Sequence, residues 1–335
     1  MNKTTVRVHF ALSFVCLALA ARAYGQARGS VTQPVLSYVV DSANQVRPLI
    51  GVTGAASIGN PVDLSFGVAQ AAVPPAHDYI LAAPAAGSAW PVLLQVSGGT
   101  MTPQWTAFDQ SNIDPTAIID RVALSPTGSA AALFSSAQGR IYVFTNLSQS
   151  AIPRSQIDVG GLGAITAFGV SDDGRKLAIG VSDGQNGALY VSNYGEPPVS
   201  AATISHPVAI AFLRKSGDAV VADDQQNTIY LVSSDQAFAI ASSSDGVAAP
   251  VALATSNDNQ RVFVANSQTG SVMTISLAGI VTAPVYCNCT VTGLFPTNTD
   301  SVFRLTDFSG SPIVLFDANR AEPRITFVPV SGSQF

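Results

Sequence analysis

Histidine, cysteine and clustered carboxylates are the groups through which this chain could do chemistry, and they are sparse. Beyond the first 23 residues there are two histidines, His77 and His206, and two cysteines, Cys287 and Cys289, in the stretch YCNCTV. A zinc site draws three or four ligands from His, Cys and carboxylates, and two scattered histidines do not supply one. His206, in SHPVAI, could face inward as a strand begins, or bond to nearby backbone there. The sequence carries no GxSxG elbow, no phosphate-cradling glycine loop and no dinucleotide fingerprint. It therefore assigns no catalytic residue, no metal and no cofactor.

Two other groupings remain. Asp183, Asp223, Asp224 and Asp307 lie in the polar stretches SDGQNG, DDQQN and TDFSG. Gathered on one side of a fold, they would make an acidic rim for a cation or a basic partner. Taken singly, each is also a good turn former, because Asp bonds its own backbone. Cys287 and Cys289 are a candidate disulfide. Residues i and i+2 of a regular strand stand about 6.5–7 Å apart, at the edge of disulfide reach, and a turn at Asn288 would bring them closer. Free thiols and a metal site stay open as alternatives. Trp90 and Trp105 could serve as sugar platforms or as packing residues.

The elements that must hold these residues are strands. Charged residues are 11% of the chain, against about 25% in ordinary domains, and Glu196 and Glu322 are the only glutamates. No long stretch shows apolar residues at the helical period. One plan recurs instead: polar turn, apolar strand, polar turn, apolar strand. Taking Gly128, Gly174, Gly217, Asn259 and Asp300 as anchors gives spacings of 46, 43, 42 and 41. Asp78 and Pro34 anchor two earlier, more degenerate copies at spacings of 50 and 44. Units of this length, each of four short strands, predict an all-β β-propeller of seven four-stranded blades. One blade reads ITAFGVSD, KLAIGVS, ALYVSNY, PVSAATI. A two-sheet sandwich would not explain a turn chemistry repeated over most of the chain.

The stretch VFVANSQTGSVMTISL (262–277) resembles the repeat of the YVTN-type and NHL-like bacterial propellers. The LSPTG and VSDDG turns are similar to those of the same group and of WD40-like propellers. This resemblance implies a fold. Function on such a fold has to come from a site.

Lys3 and Arg7 precede an apolar run from about Phe10 to Ala21, and small residues follow at Ala21 and Ala23. This is the pattern of a secretory signal peptide over 1–23, with a second possible end at 27, followed by one propeller domain over 28–331. The run is shorter than the roughly 20 apolar residues of a membrane span, so no stable membrane insertion is expected. Without the first 23 residues the chain holds 13 basic and 21 acidic residues. That balance argues against nucleic acid and for a soluble monomer.

The expected function is that of a secreted or periplasmic, non-catalytic binding scaffold for a protein or glycan. A propeller hydrolase of the lactonase kind is the alternative. Ring closure is expected chiefly from face packing of YVVDSANQVRPLIGV on FRLTDF and IVLFDA, with strand exchange by residues 31–33 as the other option. The signal reading predicts a mature chain that begins near Tyr24 or Arg28. Intact-mass measurement of exported material should find residues 1–23 missing, and a mass that retains them would defeat the prediction.

Overall fold

In this computed structural model, residues 33–85, 90–108 and 117–330 are described. The expected signal segment and residues 31–32 of the strand-exchange option lie outside them. The described chain forms seven antiparallel sheets in order along the sequence, the blades of a β-propeller. Blade 1 has three strands, β1 (Val35–Val40), β2 (Val46–Val52) and β3 (Ala55–Ile58); the other six have four. Blade 2 holds β4 (Val68–Ala72), β5 (Tyr79–Pro84), β6 (Val92–Ser97) and β7 (Thr100–Gln104). Blade 3 holds β8 (Arg121–Leu124), β9 (Ala130–Ser135), β10 (Arg140–Thr145) and β11 (Ile152–Asp158). Blade 4 holds β12 (Ile165–Val170), β13 (Lys176–Ser182), β14 (Gly187–Asn193) and β15 (Val199–Thr203). Blade 5 holds β16 (Pro207–Phe212), β17 (Ala219–Asp223), β18 (Thr228–Ser233) and β19 (Gln236–Ala241). Blade 6 holds β20 (Pro250–Thr255), β21 (Arg261–Asn266), β22 (Ser271–Ser276) and β23 (Val285–Tyr286). Blade 7 holds β24 (Phe295–Pro296), β25 (Val302–Arg304), β26 (Ile313–Asp317) and β27 (Arg324–Val328).

Blades 3, 4 and 6 turn from their first to their second strand through a recurring motif. The Ser125 hydroxyl accepts the Ala130 N–H at 3.0 Å, Ser171 accepts Lys176 N–H at 2.9 Å, and Ser256 accepts Arg261 N–H at 3.0 Å. Such local side-chain bonds satisfy turn backbone that has no ladder partner. Gly128, Gly174 and Asn259 take left-handed φ angles of 77°, 66° and 59°. At Gly128 a side chain is also excluded by space, since a Cβ there would lie 2.3 Å from Pro74. In blades 5 and 7 the left-handed residue is not the sequence anchor: Lys215 and Ser301 take it, at 49° and 57°.

The apolar core is divided among the junctions between blades. Leu133, Tyr142 and Phe144 of blade 3 meet Tyr79 and Leu93 of blade 2, and Phe168 and Ile179 of blade 4 meet Phe134 and Ile141 of blade 3. The same arrangement continues through blades 4 to 7. Between the last and first blades, Ile313, Leu315 and Val328 pack on Leu36, Val39 and Leu49, the face packing expected for closure. Phe327 of the final strand points outward and is 57% exposed, because strand alternation turns it away from buried Val328.

Hydrogen bonds cross each junction as well. Tyr79 Oη donates to Gly128 O, Thr127 N and Lys215 N donate to the two Asp172 carboxylate oxygens, and Arg214 N donates to Asn259 Oδ1. Asn257 N then donates to Asp300 Oδ1, and Asn298 closes the ring with Nδ2 on Val35 O at 2.7 Å and its N–H on Leu36 O at 2.9 Å. Blades 1 and 2 are joined from Val68 N to Asn44 O.

His77, in the turn between β4 and β5, seats its ring edge-on to Tyr38 of β1 at 5.8 Å. It is 8% exposed, and neither ring nitrogen has a hydrogen-bond partner among the described residues. Burial holds its pKa down to about 4; the Val35 backbone opposes this in small part without reaching hydrogen-bond geometry. The folded protein therefore prefers neutral His77, whose unfolded pKa is about 6.5. This contribution is fully present above about pH 6.5 and is lost as pH falls towards 4, by at most about 1.4 kcal/mol per pH unit. Urea unfolding at pH 7, 6 and 5 should show stability declining across that window. His77→Asn keeps the left-handed φ of 55° and should flatten the decline. Parallel pH curves for the two proteins would show that His77 does not carry it.

Candidate functional site

Of the four aspartates of the expected acidic rim, Asp183 and Asp223 bond the backbone of their own turns and Asp224 and Asp307 pair with cationic or imidazole side chains. Asp183 Oδ1 accepts the Gln185 and Asn186 N–H groups at 2.9 and 2.7 Å, and these bonds hold its carboxyl below the usual range. Asp223 is fully buried; Oδ1 accepts Gln225 and Gln226 N–H while Oδ2 accepts Ser205 N–H. Asp224 Oδ1 lies 2.6 Å from His206 Nδ1, and Asp307 Oδ1 takes a guanidinium bond from Arg304 at 3.1 Å. Among the described residues, no three His, Cys, Asp or Glu side chains gather where a metal ion could sit. His206 bonds to a carboxylate, not to backbone as its position at a strand start suggested.

Cys287 and Cys289 are joined as a disulfide with their Cα atoms 5.2 Å apart, and Asn288 between them takes φ 52°. That left-handed residue shortens the strand spacing to disulfide reach. Trp90 is in an aromatic group with Phe108, Tyr142 and Phe144 at the junction of blades 2 and 3, and Trp105 leans on Phe66 at 4.6 Å while remaining 52% exposed.

The more developed concavity lies on the opposite face, the one formed by the first turns of the blades. A cleft of about 600 Å³ runs across blades 3, 4 and 5, between Thr127 and Ser129 at one end and Lys215 to Gly217 at the other. Its floor is fixed by Asp172, whose Oδ1 accepts Thr127 N–H at 2.8 Å and whose Oδ2 accepts Lys215 N–H at 2.8 Å. Its walls carry Arg175, Lys176, Tyr194 and Lys215. Arg175 lies over the Tyr194 ring at 5.4 Å and 3.8 Å from Asp173, and Lys176 pairs with Asp235 at 2.8 Å.

Tyr194 is 71% exposed and held at φ 56°, and Lys215 has φ 49°. A bulky side chain in the left-handed region costs about 1–2 kcal/mol; Asn146 and Ser234 take the same region in the corresponding turns of blades 3 and 5, so at Tyr194 the fold sets the backbone and the sequence places a large ring on it. The backbone holds Tyr194 there: its N–H donates to Arg175 O at 2.6 Å.

Among the described residues the cleft lining holds no histidine or cysteine, so nothing in it matches an acid–base or metal pattern in the sequence. The available signal was the lysine count: outside Lys3, the chain's lysines are Lys176 and Lys215, each preceded by an arginine, Arg175 and Arg214, in first-turn segments of adjacent blades.

No family model matches the chain, and no curated protein matches it. It is similar to the solved structure of a functionally unknown protein from Desulfotomaculum acetoxidans DSM 771, with 13% identity across 89% of this chain and 100% of that one, at a TM-score of 0.58. It is also similar to a chain in the crystal structure of a nidogen/laminin complex, with 13% identity across 76% of this chain and 93% of that one, at a TM-score of 0.47. At such identity, the likeness to the first concerns the fold alone.

If the strain at Lys215 serves a surface role and not the fold, relieving it should stabilise the protein. Lys215→Gly is expected to raise unfolding free energy by up to about 1 kcal/mol, the left-handed penalty less the entropy of glycine. Urea titration of the two proteins measures it; a loss of stability would mean that the Lys215 side chain is needed for folding.

Proposed function

We infer that this protein is an exported, non-catalytic propeller of the YVTN-type and NHL-like kind, a monomeric scaffold that binds a protein or glycan partner through the cleft across blades 3 to 5. The observation that carries this reading is Tyr194, 71% exposed, strained at φ 56° and stacked under Arg175. Tyrosine and arginine are the side chains most often found as binding anchors. An aromatic ring with one free face also suits a sugar ring. The cleft is positioned by backbone hydrogen bonds to Asp172 on both sides, so little ordering entropy is lost when a partner docks. The leader-like residues 1–23 and the acidic balance of the rest support export and argue against nucleic acid as the partner.

A second reading, a hydrolase of the lactonase kind, rests on the His206–Asp224 pair at 2.6 Å, a base with an orienting carboxylate on the other face. A lactone hydrolysis screen comparing wild type with His206→Gln distinguishes it: turnover that the substitution removes would favour the enzyme.

The scaffold reading is tested with immobilised full mature protein on a glycan array and against exported proteins, alongside Tyr194→Asn and, on the opposite face, Asp183→Asn. Asparagine tolerates the left-handed backbone at 194. A partner bound through the cleft should lose at least about tenfold in affinity, about 1.4 kcal/mol, with Tyr194→Asn and be unaffected by Asp183→Asn. The reverse pattern would move the binding face to the acidic side and overturn the assignment.

A further inference from the structure

The molecule has a second concavity, the chamber on the ring axis, which shares no residue with the cleft. It has a volume of about 430 Å³ and is lined by the first strands of blades 2 to 7 and by Ser37 and Tyr38 of β1. In blade 7 the first strand is only two residues long, so β25 also reaches the chamber through Val302, Phe303 and Arg304. The wall formed by blades 3 to 6 carries the apolar Val122, Val170, Ile210 and Leu253 together with the polar Asp120, Ser125, Thr255 and Asn257.

Two guanidinium groups stand in this lining beside two carboxylates, Asp120 and Asp300, which accept the Ser136 and Asn257 N–H groups, and the two guanidinium groups differ in how they are engaged. Arg121 donates from Nη1 to Thr166 O at 3.0 Å and from Nη2 to Ile165 O at 2.7 Å, so both of its terminal nitrogens are committed to holding blade 3 to blade 4. Arg304 is 7% exposed and lies 3.9 Å over the Phe295 ring. Its Nη1 donates to Thr306 O at 2.5 Å and to Asp307, whereas its buried Nε has no hydrogen-bond partner among the described residues. Asp307, its one ion-pair partner, has a side chain 66% exposed. Water therefore screens the carboxylate while the cation sits inside the protein. A buried charge with an unfilled donor is a standing penalty, which an anion entering from the chamber would offset.

We propose that the central chamber binds a small amphipathic monocarboxylate, with its carboxylate on Arg304 and its aliphatic chain along Val170, Ile210 and Leu253. Arginine and carboxylate match as planar, bidentate partners. One charged end is specified because Arg121, across the chamber, has its terminal nitrogens already bonded to carbonyls. An apolar body is specified by Val170, Ile210 and Leu253, and the carboxylates of Asp120 and Asp300 in the same lining disfavour a ligand with a second negative charge.

The test is calorimetric titration of the full mature protein with octanoate and, as the uncharged analogue of similar shape, octan-1-ol. Octanoate should bind with one molecule per chain and octan-1-ol at least about tenfold more weakly. Arg304→Gln should bring octanoate down to the level of the alcohol, and Leu253→Trp, which fills the chamber, should abolish binding of both. If Arg304→Gln does not fold, the ratio of acid to alcohol and the Leu253→Trp protein still decide the matter. Equal affinity for acid and alcohol, no saturable octanoate binding, or binding that survives Leu253→Trp would each overturn the proposal. Each of these results is independent of whether a partner docks at Tyr194.

Discussion

The contact between one blade and the next is the interaction on which the whole structure depends. No blade has a core of its own. Apolar residues such as Phe144, Ile179, Val221 and Phe263 are buried against neighbouring sheets, and each cluster straddles a boundary between blades. Burying a large apolar side chain contributes about 1.5–3 kcal/mol, and here that term is realised only when two sheets meet. The boundary between blades 7 and 1 must therefore be made like the others, although chain connectivity does not supply it. Ile313, Leu315 and Val328 meet Leu36 and Leu49 there, and Asn298 adds hydrogen bonds to Val35 and Leu36.

Rigidity at the cleft follows from the same boundaries. In blades 3 to 7 the first turn serves two purposes: it reverses the chain, and it is tied to the neighbouring blade. Asp172 shows both, since one carboxylate accepts N–H groups from Thr127 of blade 3 and Lys215 of blade 5. A surface braced in this way can hold Tyr194 and Lys215 in left-handed backbone that they would leave in a free peptide. The scarcity of charge elsewhere makes the gathering of Arg175, Lys176 and Lys215 more distinctive than it would be on an ordinary surface.

The two faces of the ring use similar residues to different ends. On the second-turn face, Asp41, Asp183 and Asp223 each fold a carboxylate oxygen back onto N–H groups of their own turn. Those aspartates are consumed locally, which is why an acidic sequence does not yield a cluster of three metal-ligating side chains among the described residues. On the first-turn face Asp173 and Asp258 do the same with Arg175 and Gln260 N–H, whereas Asp172 and Asp300 bond across to the neighbouring blades.

Much of the fold was legible in local chemistry. Turn residues that tolerate left-handed backbone, together with apolar strands of period two, repeat at a nearly constant interval, and a unit that cannot bury its faces alone must stack with its copies; seven units then mean seven blades. Cys287 and Cys289 could be singled out from spacing, although the angle at Asn288 that brings them together is a property of the folded turn. In blades 5 and 7 the left-handed position falls on Lys215 and Ser301 and not on the anchors Gly217 and Asp300, a placement the repeat spacing did not reveal. Only the tertiary structure brought Arg175, Tyr194 and Lys215 to one cleft, and Arg121 and Arg304 to one chamber. These are meetings between residues far apart in the chain. Sequence periodicity sets what each blade is, and the closing of the ring sets which side chains face each other across it.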